Sequence, residues 1–277
     1  MENVKRTCEL VNTYEVLEHI MGIEGLHPHS LKTIDIIFEE VARHTNNQEG
    51  VILDVGCGSG LGTYNLSSKL SESVSIIGID INAGSIEKAR ANYADSKNMS
   101  FYQGTLEAFH QENPHLKVIG IVSVSVSMFL PDISNFYKIS HDILSENGIF
   151  VDAPFVFQED QTIDVVFKNK TYAVCGCNMT MKTTEELQAF VTESGFDEIN
   201  TQTYNFELMN MNKLFKDYPF RSLIRNFTKN VINPPSALAG QSSWYLLKRT
   251  LSIFSFFMKN RDNYGAGVIK AVKTKSS

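Results

Sequence analysis

The chain has 277 residues, a length that suits one large α/β domain or one domain carrying a sizeable insertion. With 43% hydrophobic and 20% charged residues it can bury a core, which excludes a disordered chain. The formal net charge of −6, with Lys and Arg spread along the chain and no run of five or more, argues against polyanion binding as the main task.

Four cysteines, Cys8, Cys57, Cys175 and Cys177, show no paired framework and point to a reducing, cytoplasmic setting. Cys175-Gly-Cys177 has no second pair at metal-ligand spacing, so these read as loop thiols, with no metal expected. Met1 to Val11 is polar and reads as neither a signal peptide nor a transit sequence. The longest apolar runs, Val118 to Leu130 and Leu251 to Met258, fall short of the ~20 residues of a membrane span.

In chain order, Val4 to Met21 carries an approximate helical stripe, and Ser30 reads as the N-cap of a helix running to about His44. Val51 to Val55 is a short apolar run with the look of a buried parallel strand. A glycine cluster follows, then a helix through Tyr64 to Leu70. Next come a strand at Val74 to Asp80, a helix at Ala83 to Tyr93, a strand at Met99 to Tyr102 and a strand at Lys117 to Ser125. Ile133 to Leu144 is an amphipathic helix, and Gly148 to Ala153 opens a fifth strand. This alternation predicts a parallel sheet covered on both faces. Thr183, with Glu186 three residues on, forms a capping box for a helix closed by Gly195. Strands follow at Glu198 to Tyr204 and Gly267 to Val272, separated by a mostly helical stretch.

The segment that carries chemistry is Asp54-Val55-Gly56-Cys57-Gly58-Ser59-Gly60, between a buried strand and a helix. Glycine permits unusual backbone angles and close approach of a ligand, and the helix behind presents free amides. The spacing is not the G-x-G-x-x-G of dinucleotide dehydrogenases. Asp54 would repel an anion and attract a cationic amino-acid moiety. Asp80, ending the second strand, can accept both ribose hydroxyl protons of an adenosine.

Asp54 to Gly60 followed by Asp80 resembles the class I S-adenosylmethionine-dependent methyltransferase family. The resemblance runs roughly from Leu26 to Lys273. It includes Leu144 to Gly148 before the fifth strand, Glu186 to Phe196, Asn263 to Lys270, and a lead-in segment, Leu26-His27-Pro28-His29-Ser30, similar to that of small-molecule members. It implies a Rossmann-like seven-stranded sheet whose seventh strand is antiparallel and inserted between the fifth and sixth. It also implies that the glycine loop (Asp54, Gly56, Cys57, Gly58, Gly60) holds the methionine part, that Asp80 and Ile81 lie at the ribose, and that Gly104 to Glu107 flank the adenine. Many members are acidic where Thr105 stands, so a hydroxyl or the Leu106 backbone would serve the adenine. Ser123 should lie near the methionyl moiety.

The expected organisation is an N-terminal helical cap over 1–48, a methyltransferase core over 49–205 and 264–277, and a helical insertion over 206–263. The insertion is read as a lid or as a dimer contact. On the acceptor side, His27 and His29 are candidates to take a hydroxyl proton, against a reading in which they only bond the loop. Tyr14 is read as closing over the cofactor or as core. Met128 and Phe129 are read as an apolar pocket wall or as core. In the insertion, Tyr218, Phe220, Arg221, Arg225, Trp244 and Tyr245 suit a flat or anionic small-molecule acceptor. Asp152 and Glu159, beyond the fifth strand, are read as solvated or structural, with an acceptor-facing role as the alternative.

Methyl transfer to a small molecule of secondary metabolism is the function expected, O-methylation first and N- or C-methylation next. A cofactor-binding member that does not methylate is the second reading. A protein or nucleic-acid methyltransferase is the third. The acidic balance disfavours it, as does the fourth-strand loop Ser123-Val124-Ser125-Val126-Ser127, which lacks an Asn-Pro-Pro-Tyr type sequence.

Overall fold

The computed structural model describes residues 31–157, 180–205, 255 and 259–274. Five parallel strands form its centre: β1 (Gly50–Val55), β2 (Val74–Asp80), β3 (Met99–Gln103), β4 (Val118–Val124) and β5 (Leu144–Ala153). They lie in the order β3-β2-β1-β4-β5, so connections depart to opposite sides of β1. This reversal leaves a crevice beyond the carboxyl ends of β1 and β4, where open α/β sheets bind ligands.

Two later strands complete the sheet. β9 (Tyr264–Val272) runs antiparallel to β5, with Asp152 opposite Ile269. On its other edge it runs antiparallel to β8 (Asn200–Asn205), with Thr201 opposite Ile269. The antiparallel strand between fifth and sixth neighbours, expected from the family resemblance, is therefore present. The sheet differs from a plain seven-stranded one: among the described residues it has nine strands. The additions are β6 (Phe155–Phe157) and β7 (Lys182–Thr183). β6 continues the line of β5 along the same β9 edge, after Pro154 has broken the ladder. Proline has no amide to give, but its carbonyl still accepts from the Gly267 amide at 2.9 Å.

Helices cover both faces because the strands alternate two apolar sets. Ile52, Ile76, Val122 and Val151 pack with α1 (Leu31–Thr45) and α2 (Leu61–Ser67) through Ile34, Ile37, Phe38, Val41 and Leu66. Beside them lies α3 (Ala83–Asn92), whose Ile86 and Ala89 are buried. On the other face Leu53, Ile79, Ile121 and Phe150 meet α4 (Leu106–Glu112), α5 (Ile133–Ile143) and α6 (Thr184–Glu193) through Phe109, Phe136, Tyr137, Leu187 and Val191.

Several boundaries differ from the expectation for local reasons. The helix after the glycine loop starts at Leu61, not Tyr64, because Gly60 itself is the left-handed cap. The polar stretch after β3 folds into α4, with the Thr105 hydroxyl capping the Ala108 amide at 3.2 Å and Leu106 and Phe109 buried. β5 begins at Leu144, four residues before Gly148, since Leu144 already pairs with Val118. The capping box of α6 is as read: Thr183 and Glu186 bond reciprocally, and Gly195 follows with φ 96°. The first helix over 4–21 and nearly all of the insertion over 206–263 lie outside the described residues.

Candidate active site

Where β1 ends, the chain turns through three glycines of left-handed backbone: Gly56 (φ 76°), Gly58 (φ 54°) and Gly60 (φ 87°). Each has its own reason. A Cβ on Gly56 would sit 2.1 Å from the Val126 side chain, and one on Gly60 would sit 2.7 Å from the Phe101 ring. Around Gly58 a Cβ would meet none of the described residues within 4 Å. Two of these glycines thus serve packing, while the third borders open space, where backbone can face a ligand.

The loop is pinned across to β2. The amides of Gly56 and Cys57 both donate to the Ile79 carbonyl, at 2.7 and 3.1 Å. The Gly58 amide donates to Asp80 Oδ2 at 2.9 Å, and the Asn82 amide to Asp80 Oδ1 at 2.9 Å. Asp80 is half-buried. A carboxylate held in this way at a strand end is placed to accept ribose hydroxyls. The crevice therefore offers a free glycine edge beside a fixed carboxylate, which fits an adenosine carrying an amino-acid tail.

Asp54 lies under the loop, 6% exposed, and its Oδ2 accepts from the Thr63 hydroxyl at 2.6 Å. Burial raises its pKa from 3.8 to about 6; the Thr63 bond opposes that shift and the charge of Asp80 adds to it. Cys57 is buried, and its thiol is pushed far up, by burial first and then by Asp54 and Asp80. It is an inert thiol that spends its amide on β2. Ile81 is half-buried beside Asp80. Thr105 is exposed but commits its oxygen to capping α4, and Leu106 turns its side chain into the core.

The other sequence candidates fall in different places. Ser123 is fully buried and pairs across the sheet with Asp152. Met128 is in the core at 2% exposure, its Sδ accepting from the Phe155 amide at 3.4 Å, whereas Phe129 is half-buried. Asp152 is not beyond the fifth strand but within it, wholly buried against Tyr137. Tyr14, His27, His29, Tyr218, Arg221 and Trp244 lie outside the described residues, as do Glu159, Cys175 and Cys177. Sequence reasoning passed over Thr63 and Val126. Only their distance from the Asp54 motif could have signalled them. Among the described residues no three His, Cys, Asp or Glu side chains gather as metal ligands, and no helix is long and apolar enough to cross a membrane.

Comparison with known proteins decides the family. The profile described as "Methyltransferase domain" matches residues 46–250. The chain belongs to that family. This methyltransferase thus uses S-adenosylmethionine. Solved structures share its fold at low identity. A cyclopropane synthase, MmaA2, from Mycobacterium tuberculosis is 14% identical with a TM-score of 0.66, over 88% of this chain and 84% of that one. A phosphoethanolamine N-methyltransferase 2 from Haemonchus contortus, in complex with phosphomonomethylethanolamine and S-adenosylhomocysteine, is 13% identical with a TM-score of 0.65. That match covers 96% of this methyltransferase but only 58% of the other chain. The [4+2]-cyclase SpnF is 14% identical with a TM-score of 0.66, over 98% and 94% of the two chains. No curated protein matches.

Proposed function

We propose that the crevice between the Gly56–Gly60 loop and Asp80 holds S-adenosylmethionine, and that its methyl group goes to a small-molecule acceptor, an oxygen acceptor first among the choices. The carrying observation is the clasp itself: Asp80 is fixed by the Gly58 and Asn82 amides beside a glycine whose open side has room for a ligand. In this reading Asp80 and Ile81 lie at the ribose. Asp54, buried on Thr63, draws the cationic amino-acid end by its charge. Thr105 and the Leu106 backbone lie at the adenine, and Ser123 near the methionyl end.

The bound sulfonium supplies an activated methyl group with a good leaving group. The residues of this chain have only to orient an acceptor and exclude water, and alignment of that kind can lower a barrier by about 7–11 kcal/mol. His27 and His29 are proposed on the acceptor side, with Tyr14, Met128, Phe129, Tyr218, Arg221 and Trp244 around the acceptor. Met128 can contribute there only from beneath, because it is buried. The fold also carries the [4+2]-cyclase SpnF, so a non-methylating role is separated from this reading by turnover, not by cofactor binding.

Isothermal titration with S-adenosylmethionine, followed by a radiolabelled methyl-transfer screen over phenols, hydroxy acids and amines, tests the proposal. Micromolar binding and label in an extracted product are expected. No heat at millimolar cofactor would remove the cofactor site, and binding without transfer to any acceptor class would favour the second role.

A further inference from the structure

On the α5 face, directly beneath the carboxyl ends of β4 and β5, lies a sealed polar cluster that the cofactor crevice does not use. Asp152 is 0% exposed, and its Oδ2 accepts from the Tyr137 hydroxyl at 2.7 Å. Among the described residues its other oxygen, Oδ1, has no hydrogen-bond partner, and neither do the buried hydroxyl oxygens of Ser123, Ser125 and Ser127. The hydroxyls of Ser127 and Ser123 nonetheless stand close enough to attract the carboxylate. Orphaned polar atoms gathered at one buried carboxyl are unusual, and such groups mark a trapped water or a functional role.

The surroundings give the cluster a direction. Tyr137 is the titratable group facing Asp152 from α5, Ser123 faces it from β4, Ser127 from the short turn Ser127–Phe129, and β9 places apolar Ile269 opposite it. No cation among the described residues balances the charge. Ser125 connects this interior to the crevice. It is half-buried with φ 62°, a left-handed angle that costs a non-glycine residue about 1 kcal/mol or more, and its amide donates at 2.9 Å to the carbonyl of Ala153, next to Asp152. The next residue, Val126, packs on Gly56 of the cofactor loop. Backbone strain is thus held where the crevice meets the cluster.

We propose that Asp152, held by Tyr137 and fringed by the hydroxyls of Ser123 and Ser127, is the proton store of the transfer site: it receives, through those hydroxyls, the proton that an O–H or N–H acceptor gives up. The proposal rests on the methyltransferase reading above. In the balanced step the acceptor proton passes to Asp152 Oδ1. The electron pair left on the acceptor atom forms the bond to the methyl carbon, and the pair of the broken carbon–sulfur bond stays on sulfur. The acceptor class is therefore one that must lose a proton, a hydroxyl or a protonated amine, and not a tertiary amine.

Difference infrared spectroscopy of the full chain between pH 4 and 9 reads this carboxyl directly. Of the carboxyl intensity titrating near pH 6, to which Asp54 also contributes, one component is expected to vanish in Asp152→Asn and to move to higher pH in Ser127→Ala and Tyr137→Phe, whose lost hydroxyls favour the carboxylate. Should Asp152→Asn not fold, the two upward shifts identify the band. With S-adenosylmethionine bound, the midpoint should lie about one pH unit lower than with S-adenosylhomocysteine, which lacks the sulfonium charge. A carboxyl too far from the sulfonium to serve the transferring group leaves the two midpoints equal, and that result overturns the proposal. A titration left unchanged in Asp152→Asn overturns it as well. Calorimetry on the same samples separates the failures: absence of cofactor binding removes the cofactor reading and this proposal together, whereas binding with equal midpoints removes this proposal alone.

Discussion

At the residue scale, two buried carboxyls set the pH behaviour. Asp54 and Asp152 both have pKa values raised from 3.8 to about 6, chiefly by burial. In the unfolded chain each ionises near 3.8. The folded state therefore holds more protons between about pH 4 and pH 6, and each group's favourable contribution, complete below pH 4, is lost as pH rises through about 6. Each amounts to about 3 kcal/mol. Asp152→Asn should abolish its share: denaturant midpoints at pH 4, 5, 6 and 7 should fall less steeply for the variant than for the parent chain, and parallel curves would contradict the burial argument. Cofactor affinity should move the other way. Only ionised Asp54 attracts a cationic ligand, so calorimetric affinity for S-adenosylmethionine should rise from pH 5 to pH 7 by up to about tenfold per unit below 6. Thr63→Val removes the donor that favours ionised Asp54 at 2.6 Å. It should displace this dependence to higher pH and cost about 1–3 kcal/mol of stability. The turn from Asp54 to Gly60 and the strand-end place of Asp80 were legible in the sequence because alternate glycines between a buried strand and a helix mark a tight left-handed loop. Asp152 was misplaced. A single acidic residue in Phe150-Val151-Asp152-Ala153 looks like a strand end, and only the packing of Tyr137 from α5 shows it to be interior.

At the element scale, the glycine loop separates folding from binding. Gly56 and Gly58 share left-handed backbone, yet only Gly56 is crowded, by Val126. Gly58→Ala should cost about 1 kcal/mol in stability from backbone strain alone, while weakening cofactor binding at least tenfold if, as proposed, the cofactor meets the chain there. Gly56→Ala adds a clash at 2.1 Å and should lower the melting temperature several degrees further. Thermal melts and calorimetry on both variants check the contrast, and equal melting temperatures would refute it. Asp80→Asn should reduce affinity by roughly tenfold to several hundredfold with little loss of fold. The alternation of strands and helices was readable from hydrophobic runs and caps, the Thr183 box most plainly. Helix α4 was not, because its seven residues present only Leu106 and Phe109 to the core, too little for a periodicity. Strands β6 and β7, of three and two residues, depend on partners distant in the chain.

At the scale of the whole molecule, strand β9 is the seam. It holds β5 and then β6 along one edge and β8 along the other, so three strands meet through a single late segment. Its buried run Tyr264 to Ile269 was only partly visible, since three of the first four residues after Asn263 are small or glycine and carry little strand signal. During synthesis from the amino end, β5 is made long before β9 and waits with one margin of amides and carbonyls unsatisfied. The ribosome must deliver Val272 before that margin closes. Nascent chains halted after β8 should therefore be sticky, chaperone-bound and sensitive to protease, even though the cofactor loop and Asp80 emerged much earlier.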